Sequence, residues 1–262
     1  MSIKDELERA ARNTADTVTR ISATFARELA SVLRDTERRL PPLLGASKDS
    51  RTAIVKASQA NRLRKDLRTV LKKAGYDELV DVSTGDRLDR ITAKVLDGRR
   101  LAQQSSKLAA GAELRLNGLK AMNLENLLEE GDELARALWN ATVRGIFGSQ
   151  PVGSILAGLG QVIDKTQPQI ETLYDTAITI YGRQVEALQA GDDEDTPFLY
   201  AGPDDEKTRE FCQERVNQVF TRAEIDAMDN GQLGDVFLTG GGYNCRHVWI
   251  EVSKFSELRS AA

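Results

Sequence analysis

From residue 2 to about 39, apolar side chains recur at helical spacing: Ile3, Leu7, Ala11, then Val18, Ile21, Phe25, Leu29 and Val32. Charge surrounds this narrow stripe, so the pattern predicts a long helix packed on a partner. Thr14 and Ala15 interrupt it, making the first turns the weaker part. Pro41 and Pro42 lack N–H donors and disfavour a helical residue before them, so the helix is expected to end there. A second helix is expected over about 50–73, with Ile54, Leu63, Leu67, Val70 and Leu71 as its apolar side and Gly75 as its stop. Further helices are expected over 86–97, 101–121, 123–147 and 151–164, with breaks near Gly98, Asn123 and Ser149-Gln150-Pro151. A last long helix should start near Pro168 and bury Ile170, Leu173, Ala177, Ile180, Tyr181, Val185 and Leu188.

After Asp192-Asp193-Glu194-Asp195 the texture changes. Four adjacent acids repel one another and solvate well, which marks a domain boundary. Phe198-Leu199-Tyr200 reads as a short strand entering a turn at Gly202-Pro203-Asp204, followed by a helix over 206–217. Thr221 and Glu224 fit a capping box that opens a short helix ending near Asp229-Asn230-Gly231. Val236-Phe237-Leu238 reads as a strand, Gly240-Gly241-Gly242 as a tight loop, and His247–Val252 as a last strand alternating in polarity. The expected fold class is therefore mainly α, with a helical region over 1–191, an acidic linker over 192–197 and a small mixed α/β module over 198–262. No repeat of fixed period points to a solenoid.

Composition supports this. Aromatics are only 5% against 29% charged residues, which suits long charge-covered helices better than an aromatic-rich enzyme core. The net charge of −4 hides an asymmetry: residues 1–150 hold 27 Lys+Arg against 21 Asp+Glu, a net of +6, and residues 151–262 hold 9 against 19, a net of −10. Eight bases and one acid fall within 51–73, among them Arg62, Arg64, Lys65, Arg68, Lys72 and Lys73. These are candidates for contact with DNA or an acidic protein surface, against the plainer reading of a solvated helix face. No apolar run is long enough to span a membrane, and the charged N-terminus lacks a signal-peptide core. Folding in a reducing cytoplasm is expected, and two cysteines are too few for a disulfide scaffold.

Tyr200-Ala201-Gly202-Pro203, Thr208-Arg209-Glu210-Phe211-Cys212, Asp229-Asn230-Gly231-Gln232 and above all Gly240-Gly241-Gly242-Tyr243-Asn244-Cys245-Arg246-His247 resemble the Mu-F-like domain of phage head-morphogenesis proteins. The resemblance covers about residues 196–253, and its closing block is its most specific part. It implies a minor head or minor capsid protein of a tailed phage, bound to the portal and other head proteins in several copies. Such a protein acts in assembly, DNA packaging or delivery, in the host cytoplasm and then in the virion. A rival is an internal head protein that contacts packaged DNA and leaves with it. Many relatives carry a Cys-x-x-Cys pair and a closing Cys-Arg-Cys, and this chain has neither.

Cys212, Cys245 and His247 are the residues with the look of a site. On a strand, Cys245 and His247 would face one side. Zinc, a disulfide, and two packed thiols beside a hydrogen-bonded histidine are the competing readings. Three ligands without a fourth at distinctive spacing argue against closed zinc. One histidine with no evident orienting acid argues against a thiol nucleophile. No catalytic residue, metal ligand or cofactor is therefore assigned; a thiol- or zinc-dependent enzyme is the remaining alternative. Thr208, Arg209, Phe211, Cys212 and 240–247 are read as structural, and Arg209 and Arg246 could also grip a carboxylate or phosphate. Glycine admits positive φ and close backbone approach, and Asn tolerates the left-handed region, so 240–244 should form a constrained turn.

Overall fold

The computed structural model describes residues 2–44, 60–104, 107–108, 111–148, 150–190 and 193–255. The first apolar stripe forms a single helix, α1, over Ile3–Leu43. Leu7, Ala11, Val18, Ile21, Phe25 and Leu29 are buried, and Ala15 joins them, so the stripe is continuous. The helix carries through Pro41 and Pro42 before it stops. The carbonyls that two absent N–H groups leave unpaired belong to Glu37 and Arg38, which are exposed and open to water.

Helix α2 spans Ala60–Lys73 and buries Leu63, Leu67, Val70 and Leu71; the predicted first turns, with Ile54, lie outside the described residues. Gly75, at φ 99°, supplies the left-handed residue after it. The chain re-enters helix at α3 (Tyr76–Glu78), widens into a π-turn over Leu79–Thr84 and continues as α4 (Gly85–Leu101), passing Gly98 without a break.

The next two helices are longer than their local signals suggest. In place of the helix expected over 101–121, α4 ends at Leu101 and, among the described residues, the next helix, α5, spans Ala112–Phe147. Asn123 does not interrupt it, because its Nδ2 donates to the Leu119 carbonyl at 2.8 Å. The buried stripe also runs past it as Leu116, Leu127, Leu134 and Leu138. Helix α6 spans Val152–Ala187 with Pro168 inside it. Pro168 and Asp164, whose carbonyl loses its donor, are both exposed, so solvent satisfies that carbonyl. The face of α6 also differs from expectation: Ile170, Tyr174, Ile178, Tyr181 and Val185 are buried, while Leu173 is exposed.

The C-terminal module is a three-stranded antiparallel sheet ordered β2-β1-β3, with β1 at Pro197–Ala201, β2 at Val219–Thr221 and β3 at Val248–Glu251. The predicted helix over 206–217 shrinks to α7 (Glu210–Gln213). Asp205 and Thr208 bond to neighbouring backbone instead, which competes with helix. The capping box forms as predicted, opening α8 (Arg222–Asp226). Val236–Thr239 is a helical turn, α9, rather than a strand, because Asp235 caps it through the Leu238 N–H.

The chain divides into two compact units, and neither ends at the acid run. One gathers residues 1–22, 86–123 and 172–262; the other gathers 23–85 and 124–171. The physical reason lies in the first unit's core, where the sheet residues Leu199, Ala201, Val219 and Ile250 pack with Leu7 and Ala11 of α1 and with Ala102. Asp193–Asp195 is exposed, but the module beyond it shares a core with helical residues.

In the second unit, Tyr76 is fully buried and its hydroxyl donates to the Leu127 carbonyl at 2.7 Å. Gly131 lies against its ring: a Cβ there would meet Tyr76 Cε1 at 2.5 Å. Gly118, on the same helix, faces open space. Gly131→Ala is therefore expected to destabilise the protein by about 1–3 kcal/mol through overpacking. Gly118→Ala should leave it unchanged or stabilise it by up to about 1 kcal/mol through helix propensity. Thermal unfolding followed by circular dichroism checks both.

Candidate functional site

Strand β1 is the platform of the site. All five of its residues are buried, so it presents an apolar side chain to both faces of the sheet. Alternation sends Leu199 and Ala201 to the core shared with α1, and Phe198 and Tyr200 to the opposite face. On that second face Tyr200 packs with Cys212, Cys245, Phe237 and Trp249.

Cys212, Cys245 and His247 meet there. Cys212 comes from α7, while Cys245 and His247 lie just before β3. The two Sγ atoms are 3.9 Å apart, and Cys245 Sγ lies 3.9 Å from His247 Nδ1. The donor atoms of the three residues all fall within 4.8 Å of one another, and all three residues are buried. The Tyr200 hydroxyl is 3.3 Å from Cys212 Sγ and 3.4 Å from Cys245 Sγ, and its ring stacks on His247 at 5.0 Å between centroids. The hydrogen bond between the thiols sets them apart. Cys245 is held well below the ordinary thiol value by that bond and by the nearby Arg183 charge, and Cys212 is pushed up by the same bond and by burial. Burial also raises the Tyr200 hydroxyl. Both cysteines are free thiols.

The glycine block explains how the cluster fits. Gly240 and Gly242 take positive φ, as does Asn244, which makes the constrained turn that the residue types predict. A Cβ on Gly241 would sit 2.3 Å from Cys212 Sγ, and one on Gly202 would sit 2.6 Å from the His247 ring. These glycines are therefore spacing devices around the cluster. Around them, Arg209 donates to the Gly241 carbonyl and to Gln232, both at 2.8 Å, while Arg246 grips both carboxylate oxygens of Asp205. That pairing holds the Asp205 carboxyl well below the usual range. Thr208 is buried, and its hydroxyl donates to the Pro203 carbonyl at 3.0 Å. Phe211 packs at the edge of the core under the Arg215 guanidinium, and Tyr243 is partly exposed.

The residues that organise the site most tightly carry no motif. Arg183 of α6 is buried, and it donates to the His247 carbonyl at 2.6 and 3.0 Å, to the Cys245 carbonyl at 3.0 Å and to the Leu238 carbonyl at 3.2 Å. Nearby, Arg99 pairs with Glu186 at 2.6 Å and with Glu251 at 3.3 Å. The one available sequence signal is that Arg183 and Glu186 are the only charged residues between Asp175 and Asp192. A cavity of about 30 Å³ lies between Arg99, Arg183, Glu186 and Trp249, room for about one water.

The basic residues belong to the second unit. Arg62, Arg64, Lys65, Lys72 and Lys73 are exposed on α2. Arg68 is engaged instead with Asp77, at 2.7 Å, and with Asp132.

The chain matches no family model, no curated protein and no solved structure. Among the described residues, no helix is long and apolar enough to cross a membrane.

Burial holds the Glu186 carboxyl up at about 7 against its ordinary 4.5, with the Arg99 guanidinium pulling the other way. The folded chain then binds more protons than the unfolded chain between those values, so stability falls as pH rises through that window. The melting temperature is expected to decline from about pH 5 to about pH 7.5, and Glu186→Gln to flatten the decline. A wild-type slope that Glu186→Gln leaves intact would assign it to other groups.

Proposed function

We propose that this protein is a structural minor head protein of a tailed bacteriophage, of the Mu-F-like kind. It would bind portal or other head subunits in several copies, in the host cytoplasm and then in the virion. The observation that supports this reading is where the resembling residues sit. Tyr200, Gly202, Cys212, Gly240, Gly241, Cys245 and His247 are separated along the chain, yet they meet at one buried cluster. They act there as core, spacers and turn formers, which is how residues that specify a module's shape behave. The burial of all three candidate chemical groups supports a structural role over a thiol enzyme, whose nucleophile has to be reached by substrate.

The rival reading, an internal protein that contacts packaged DNA, draws on the five exposed bases of α2. Two features weigh against it: Arg68 is already held by two carboxylates, and the chain as a whole is acidic.

Mass spectrometry of purified particles is expected to find this chain at low copy relative to the major capsid protein, and a pull-down from infected cells should recover portal or capsid subunits. Absence from both procapsids and mature particles would sink the head-protein reading. DNA binding by the full chain is expected to be weak or undetectable at physiological salt. Tight binding that falls steeply with salt, and weakens when Arg62, Arg64, Lys65, Lys72 and Lys73 are replaced by Gln, would favour the rival.

A further inference from the structure

We propose that Cys212, Cys245 and His247 bind one zinc ion, with the Tyr200 hydroxyl at the fourth corner. The sequence argues against a closed zinc site because no acid at distinctive spacing completes the three ligands. The fold supplies a completing oxygen from a residue of another type, on the central strand.

Distance is the first argument. Zinc lies about 2.3 Å from sulfur and about 2.0–2.1 Å from nitrogen or oxygen in tetrahedral sites, so the edges of the tetrahedron measure roughly 3.8 Å between sulfurs and roughly 3.6 Å from sulfur to nitrogen or oxygen. The protein has 3.9 Å between the sulfurs, 3.9 Å from Cys245 Sγ to His247 Nδ1, and 3.3 and 3.4 Å from the two sulfurs to Tyr200 Oη. These four edges depart from the ideal by a few tenths of an ångström, and the ligand atoms of Cys212, Cys245 and His247 all lie within 4.8 Å of one another. A disulfide would instead need the sulfurs at about 2.05 Å, nearly halving their separation.

His247 is the second argument. The residue is only 2% exposed, yet neither ring nitrogen meets an oxygen or nitrogen partner: Nδ1 has only the sulfur at 3.9 Å, and Nε2 is buried without any partner. Buried polar atoms are normally satisfied. A metal on Nδ1 would give that nitrogen a partner in place of the 3.9 Å sulfur contact.

Charge and space agree with this. Two thiolates and a neutral imidazole around Zn²⁺ sum to zero, which suits a buried site, and two sulfurs with one imidazole form a donor set that selects zinc over calcium or magnesium. The thiol protons leave to solvent as the metal binds. Gly202 and Gly241 keep the backbone against the ligands at distances that no side chain would permit, and Arg183 fixes the carbonyls of Cys245 and His247. The metal would therefore join α7 to the segment entering β3, holding the module closed whatever partner it meets. This inference does not depend on the head-protein reading.

The test uses the full-length chain, purified without chelator from zinc-supplemented culture. Elemental analysis is expected to give one zinc per chain. Exchange with cobalt should produce a thiolate-to-cobalt charge-transfer band and visible bands of tetrahedral intensity. Stripping with a strong chelator should lower the melting temperature, and zinc but not magnesium should restore it. His247→Gln and Cys245→Ser should each lose the metal. Tyr200→Phe should retain it with an affinity lower by about tenfold or more. Substoichiometric zinc in the wild-type chain after zinc dialysis would overturn the site without recourse to any variant. So would two thiols that react freely with a thiol reagent in the zinc-saturated protein, or a Cys212–Cys245 disulfide. Unchanged zinc affinity in Tyr200→Phe would overturn the phenol as the fourth ligand.

Discussion

The guanidinium of Arg183 is the contact on which the C-terminal module depends. A charge this deep in a protein persists only if nearby dipoles replace the water it has lost. Here the carbonyls of Leu238, Cys245 and His247 do so, and all three belong to the segment that carries the glycine block. The bonds work in both directions. They stabilise the buried cation, and they also satisfy carbonyls in a stretch with too little regular structure to satisfy its own. With that segment tethered to α6, the turn residues at positive φ have a defined place to be, and the thiol of Cys245 and the ring of His247 converge on Tyr200.

Strand β1 shows how a short apolar run can serve two cores. Its odd and even positions belong to different clusters, one with α1 and Ala102, the other with the thiols, Phe237 and Trp249. A strand with only one buried face would leave the module free to separate from the helices. The doubly covered strand binds it into the same unit as residues 1–22 and 172–190. The Arg99 pairs to Glu186 and Glu251 add a polar tie between α4, α6 and β3. Such buried ion pairs contribute little net stability, because desolvation offsets their attraction, but breaking one partner is costly. They are better understood as fixing which surfaces meet.

The same separation of roles applies to the basic segment. Counting charges makes 51–73 look uniform, yet Arg68 is a bridge between Asp77 and Asp132 while its neighbours on α2 face solvent. A charge count cannot distinguish a residue that joins elements from one left available to a partner.

What the sequence determined by itself was local. Helical periodicity located α1 and α2, because a 3.6-residue repeat of apolar side chains is sufficient to define a buried face. The capping box at Thr221 and Glu224 and the left-handed turn at Gly240–Asn244 were legible because each rests on side chains within a few residues of the backbone they satisfy. Where the reading failed, a distant partner had outweighed the local signal. Asn123 and Pro168 look like helix breaks, but the buried stripes of α5 and α6 continue past them and their costs fall on a back-bond or on solvent. Val236–Leu238 has strand composition, yet the Asp235 cap and the packing around Trp249 made it helical. The acid run looks like a domain boundary, but a shared core crosses it. Only the tertiary structure could bring Arg183, Tyr200, Cys212, Cys245 and His247 together, because their proximity is set by helix and strand packing across dozens of residues, and no spacing in the chain encodes it.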